Sequence, residues 1–417
     1  MKVILLFAAI FCAVITSVAE TPIVFGISPY YFSRGQNVIP LKEIQKRLPE
    51  IKDLGANIVW LQPITPTSEP SQGYDTTDYF SINPDLGTAE DFKKLVAEAH
   101  RLNLKIILDV ALNHTSLHHP MAKDLIQQGE QSKYSVYYQK EKFLSIPYSE
   151  YFNEKKVGKA QFIYYFWENL VNLNFSSDEV RKYVLNVLEF WVKEYDIDGY
   201  RFDASWGPQS RWPHFYKSVN AHLRKIKPNL FLLAEDHSAY PARYKSKNHP
   251  HLKNSGFDAA YDWNSEDPDY VSKWAFNIED DMSVFNFGDR RFAKDYFFKT
   301  IERNKKNQSV PPLRYLENND TESFLYRHSR KQTMFAAATM ILLPGYPLIY
   351  YTQPLGLNYT QWNLPSINPA KPLSEYDPEL WAYYKKLLHL KKRSQGSSIK
   401  IDFDKSQVYV NGKPVVK

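Results

Sequence analysis

The feature that most restricts the fold of this chain is a long alternation of apolar runs and amphipathic stretches. Ile23 to Ile27, Asn57 to Leu61 and Lys105 to Asp109 are almost continuously apolar. Leu41 to Leu54 and Ala89 to Leu102, which separate them, repeat their apolar residues at helical spacing. Strands apolar on both sides, alternating with helices, predict a parallel sheet covered on both faces. The alternation resumes with a helix over Asp178 to Lys193 and a strand over Gly199 to Ala204. Further strands follow at Leu230 to Ala234, more weakly at Phe257 to Tyr261, then at Leu313 to Leu316 and Pro347 to Tyr351. A helix over Glu379 to Lys392 ends the series. Counted together the strands number eight, and 417 residues suit one large barrel carrying an insertion.

The insertion lies where the alternation stops, in the Tyr-, Lys- and Gln-rich stretch after the third strand. A structureless loop of that length is unexpected in a compact domain, so a small subdomain or a cover is predicted there. The expected division is a barrel over 20–114 and 177–393, an inserted subdomain over 115–176 and a short C-terminal β segment over 394–417. That tail alternates at Ile399 to Phe403 and turns at Asn411-Gly412, with too few residues left to supply its strands with partners. At the other end, Lys2, the apolar run Val3 to Ile15 and the small residues Ser17-Val18-Ala19 read as a secretory signal over 1–19. The expectation is therefore a secreted protein with no transmembrane segment once the signal is removed. Its only cysteine, Cys12, would leave with the signal, so no disulfide framework is expected.

Hydrophobic residues make up 43% of the chain, which excludes a disordered one, and the net charge of +6 is scattered, which gives no case for nucleic acid. Aromatic residues at 15% suit flat stacking surfaces as well as a large core. Three acids stand at strand ends: Asp203, Glu235 and Asp320. Barrel strands direct their C-terminal ends to one mouth, so acids distant in sequence converge there. Two such carboxyls cleave a glycosidic bond with retention if one is ionised and the other holds a proton. Arg201, two residues before Asp203, shares its face and keeps it ionised. Helix capping and metal-dependent hydrolysis remain alternatives for strand-end acids, although no His-x-His or His-Glu-x-x-His pattern accompanies them. His118-His119, within the insertion, reads as surface.

Four segments, in this order, resemble the motifs of the α-amylase family of glycoside hydrolases. They are Asp109-Val110-Ala111-Leu112-Asn113-His114, Gly199-Tyr200-Arg201-Phe202-Asp203-Ala204, Glu235, and Leu316-Glu317-Asn318-Asn319-Asp320. Gly73 to Tyr79 and Pro344 to Tyr351 are further family-like segments. The resemblance implies a (β/α)8 TIM barrel with a small domain after strand three, acting on α-glucans or oligosaccharides. It implies Asp203 as nucleophile, Glu235 as acid/base and Asp320 as transition-state stabiliser. Tyr74 would stack under the sugar, His114 and Arg201 would contact it or hold the nucleophile, and Asp109 would partner Arg201. Asn113 corresponds to a ligand of the structural Ca2+ of many members; no organic cofactor is implied.

The chain departs from the family pattern at four positions. Trp206 and Gly207 stand where a Lys-His pair is frequent, Asn319 replaces a His, and Asn172 replaces an Asp of the segment before the fourth strand. Asn172 and Gly207 count against calcium, since a hard cation prefers oxygens with net negative charge. Asn319 donates a hydrogen bond but carries no charge. Trp206 is expected at the barrel mouth as an apolar platform for a sugar, or under the next helix beside Trp212 and Phe215. A transglycosylase or isomerase with the same acids, and a non-catalytic glycan-binding relative, are the competing functions. The non-catalytic relative would be expected to have lost one of the three acids.

Overall fold

The computed structural model describes residues 20–68, 73–142, 152–165, 167–237, 252, 254–262, 309–360 and 363–415, with a few isolated positions between 298 and 306. The signal expected over 1–19 lies outside the described residues. Eight parallel strands form a closed barrel: β1 (Val24–Ile27), β2 (Ile58–Leu61), β3 (Lys105–Val110), β8 (Gly199–Phe202), β9 (Phe231–His237), β10 (Ala259–Tyr261), β11 (Pro312–Arg314) and β12 (Tyr346–Tyr350). They pair in that sequence, and β12 returns to β1 with Val24 opposite Leu348. The weakly marked strand near Phe257 is real but only three residues long.

The continuous apolar runs are explained by two apolar layers. Val24, Trp60, Ile107, Leu233, Leu313 and Leu348 fill the barrel interior, while alternate residues such as Phe25, Val59, Ile106 and Leu232 face the surrounding helices. The helix Ala89–Arg101 begins with a reciprocal cap, Thr88 accepting from the Asp91 amide and Asp91 accepting from the Thr88 amide. At the start of β8, Gly199 has φ +149° and lies so close to Phe231 that a Cβ would sit 1.9 Å from its carbonyl oxygen. No other residue type admits that approach, which sets the strand carrying Arg201 against β9.

The break after β3 holds a four-stranded antiparallel sheet in the order β4 (His114–Ser116), β7 (Leu170–Asn172), β6 (Ala160–Tyr164) and β5 (Asn153–Val157). The helix Pro120–Gln128 accompanies it. His119 is buried, contrary to the surface reading, because it caps this helix: its Nδ1 accepts from the Met121 amide at 3.2 Å. Burial lowers its pKa to about 4, which keeps the ring neutral and able to accept.

The tail also departs from expectation. Its strands β13 (Ile399–Asp402), β14 (Gln407–Val410) and β15 (Lys413–Pro414) pair with one another in an antiparallel meander. Asn411 and Gly412 both have positive φ, the geometry of a two-residue hairpin loop. Val408, Val410 and Phe403 are buried, with Phe403 edge-on to Phe335 of the helix Arg330–Leu342. The three strands thus supply one another's partners, and the helix covers their apolar face.

Candidate active site

Arg201 is fully buried at the C-terminal end of β8 and organises the barrel mouth. Its Nη1 donates to Asp109 Oδ1 at 2.9 Å and to Asp203 Oδ1 at 2.8 Å. Nη2 lies 2.9 Å from Glu235 Oε2 but off the N–H axis, so that contact is an ion pair without a hydrogen bond. Nε donates to the Tyr261 hydroxyl at 3.2 Å, and the rings of Trp60 and Tyr74 lie 5.3 and 5.9 Å from the guanidinium. One cation therefore gathers the ends of β3, β8 and β9. Asp203 and Glu235 keep 14% and 12% side-chain exposure, whereas Asp109 keeps none, so only the first two are open to a ligand.

The acids differ in their surroundings. Burial holds Glu235 well above the usual carboxylate range; Arg201 opposes the rise, while Asp203 and Asp320 add to it. Its Oε2 also accepts from the Ala204 amide at 2.6 Å. Burial pushes Asp320 up to about 6 despite the pull of Arg201, and Asn319 Nδ2 donates to its Oδ1 at 3.0 Å. Asp109 rises to about 7, burial again outweighing Arg201. Its Oδ2 accepts from the Tyr74 hydroxyl at 2.9 Å and from Trp60 Nε1 at 3.1 Å.

Tyr74 is thus fixed through its hydroxyl, and His114 fixes its backbone. His114 Nε2 lies 3.0 Å from the Tyr74 carbonyl oxygen and Nδ1 lies 3.2 Å from Asn113 Nδ2. These partners require the proton on Nε2, donating to the carbonyl, and leave Nδ1 to accept. Burial lowers the pKa of His114, consistent with a neutral ring. Both ring nitrogens are therefore used inside the protein.

Trp206 is half-buried just past the end of β8 and does not pack beside Trp212 and Phe215. Its ring meets Tyr165 edge-on at 4.9 Å and joins a small cluster with Phe152 and Ile163 of the inserted subdomain. Trp212 instead faces Arg181, whose guanidinium lies 4.0 Å from the ring, and Phe215 packs on Phe175. Asn113 is buried with its side chain turned to Arg211 and Asn172. Two contributors escaped sequence reasoning. The Ala204 amide is a backbone group held at φ +41°, which no pattern of side chains reports. Arg211 lies eight residues past Asp203, outside every motif.

Two acids on one shared cation at the mouth of a barrel form the arrangement of a barrel glycosidase. The α-amylase catalytic-domain family model matches residues 27–395, and the chain belongs to that family of glycoside hydrolases. α-Amylase 3 of Dictyoglomus thermophilum is 28% identical over 411 residues, covering 90% of this chain and 77% of that protein. The intracellular maltogenic amylase of Bacillus subtilis is 29% identical over 323 residues, which are 76% of this chain; the chain spans 49%, about half, of that relative. An α-amylase crystal structure from H. orenii matches with a TM-score of 0.70 at 25% identity, over 92% of this chain and 85% of that one. Among the described residues no helix is long and apolar enough to cross a membrane.

Proposed function

We propose that the protein hydrolyses α-glucosidic bonds of starch-like glucans or maltooligosaccharides with retention. The observation that carries the reading is Arg201 holding one oxygen of Asp203 and one of Glu235. Each acid keeps a second oxygen without a protein partner among the described residues. In the first step Asp203 Oδ2 attacks the anomeric carbon. The bond to the leaving oxygen breaks as that oxygen takes the proton of Glu235. In the second step the Glu235 carboxylate removes a proton from water, whose oxygen attacks the same carbon and releases Asp203. The burial that raises Glu235 favours its holding the first proton.

The negative charge of Asp320 stabilises the positive charge that develops on the ring, with Asn319 holding its direction. Tyr74, anchored at both ends, offers its ring to the sugar. The names α-amylase and maltogenic amylase carried by the relatives support the substrate class.

Replacement of the two acids tests the reading. Asp203→Asn should abolish turnover of both starch and an α-glucosyl fluoride. Glu235→Gln should lose starch but keep the first step on the fluoride, whose leaving group needs little protonation. The activity should fall as pH rises through the elevated pKa of Glu235, since the acid works only while protonated. Near wild-type starch activity in Asp203→Asn would overturn the assignment.

Export is part of the same reading, supported by the apolar run Val3 to Ile15 and the small residues before position 20. One relative is named intracellular, so the question is open to measurement. N-terminal sequencing of the native protein should begin at or near Glu20; a chain beginning at Met1 would refute export by this segment.

A further inference from the structure

The inserted sheet meets the barrel around a buried cation that belongs to the protein. Arg211 ends the short helix Trp206–Arg211 with its guanidinium among oxygens from four separate segments. Nε donates to the Gly207 carbonyl at 3.1 Å. Nη1 donates to the Leu173 carbonyl at 2.6 Å and, more distantly, to Gln139 Oε1 at 3.4 Å. Nη2 donates to the Asn113 carbonyl at 3.3 Å and to Asn113 Oδ1. The rings of Phe175 and Tyr165 lie 5.2 and 5.8 Å away.

Every acceptor is neutral, and no carboxylate among the described residues lies within ion-pair distance of Arg211. Burial lowers its pKa to about 10, so it remains charged at neutral pH.

The residues that the family resemblance connects with calcium are the ones that surround this guanidinium. Asn113 Oδ1 and the Gly207 carbonyl are already its acceptors. Asn172, in place of the expected Asp, accepts at Oδ1 from Asn113 Nδ2 at 3.3 Å and donates from Nδ2 to Gln139 Oε1 at 3.3 Å. A Cβ at Gly207 would fall 2.1 Å from Asn113 Oδ1, so the cage has closed more tightly than a side chain there permits. A divalent ion needs several oxygens with net negative charge. Here it would find neutral amides and carbonyls facing a fixed positive charge. The residues do not fit the ion.

We infer that Arg211 serves as the resident cation of the joint between barrel and insertion, and that the joint is held together without calcium. A guanidinium suits the task because its planar fork of donors reaches several acceptors at once, which a compact ion does by coordination. The joint closes beside the reaction centre, since the helix carrying Arg211 begins two residues after Ala204.

The test uses the full chain and does not depend on its activity. After chelator treatment and desalting, the melting temperature should stay within about 1 °C on adding millimolar calcium, because an ion that binds the native state would raise it. Metal analysis should find far less than one calcium per chain. Arg211→Met, which keeps bulk but removes charge and donors, should melt about 5 °C or more below the wild type and gain nothing from calcium. A wild-type melting temperature that follows calcium, or stoichiometric retained calcium, overturns the inference. So does an Arg211→Met chain as stable as the wild type. Should that variant fail to fold, the loss is the extreme of the expected direction, and the calcium titration of the wild type remains decisive.

Discussion

Ala204 donates its amide hydrogen to Glu235 Oε2 at 2.6 Å from a backbone held at φ +41°. A left-handed alanine costs about 1–2 kcal/mol, and strain of this kind persists where surrounding structure imposes it. The residue follows Asp203 directly, so one bend in the chain directs the Asp203 carboxylate and its neighbour's donor together.

Ala204→Gly should therefore separate stability from activity. Relief of the strain outweighs the roughly 0.5–1 kcal/mol that glycine loses in chain entropy, so the melting temperature should hold or rise slightly. Turnover should fall, because the amide is no longer fixed in direction. Thermal melts beside starch kinetics check this. A large drop in melting temperature with unchanged turnover would mean that the strain does not serve the site.

Glu317 gives a pH signature of folding that lies apart from the reacting acids. It is buried, and accepts from the Phe324 amide at 2.8 Å and from the Thr352 hydroxyl at 3.0 Å. Burial pushes its pKa up to about 7 against these donors. The folded pKa is thus above the unfolded one, near 4.3–4.5. Glu317 contributes most to stability below about pH 4.5; that contribution falls as pH rises to about 7 and is then constant. Glu317→Gln mimics the protonated acid and should match the wild type near pH 4.5. By pH 8 it should be more stable by up to about 3 kcal/mol. Urea midpoints at several pH values measure the difference, and parallel curves for the two proteins would exclude the shift.

Trp206 is expected to couple to the insertion. With its ring edge-on to Tyr165, a double-mutant cycle of Trp206→Ala and Tyr165→Ala should return about 0.5–1.5 kcal/mol of interaction. Trp206→Ala should also open the insertion to proteolysis while leaving the preference for oligosaccharide length unaltered. Strictly additive losses, or a changed length preference with normal protease resistance, would assign Trp206 to sugar binding instead.

The barrel was legible in the sequence because strands buried on both faces need apolar residues at every position, and such runs are hard to mistake. The acids were legible because a barrel turns all its strand ends to one mouth. The inserted sheet had no comparable signal. β5 reads Asn-Glu-Lys-Lys-Val with most side chains outward, and β4 pairs with β7 across 58 positions where His114 stands opposite Asn172. Its order comes from tertiary pairing and not from local periodicity. Arg211 was invisible for a different reason: three of its acceptors are backbone carbonyls, which every residue type supplies.

The guanidinium of Arg201 also has a bearing on how the barrel comes together. Asp109 precedes it by 92 positions and belongs to β3, whereas Glu235 follows it on β9. A chain with β8 joined to β3 alone would leave Nε and Nη2 of the buried guanidinium without the oxygens of Tyr261 and Glu235, and burying charged donors without acceptors is costly. Addition of β9 and β10 brings both oxygens to the free side of the guanidinium. The buried guanidinium thus also penalises stopping short of a closed ring.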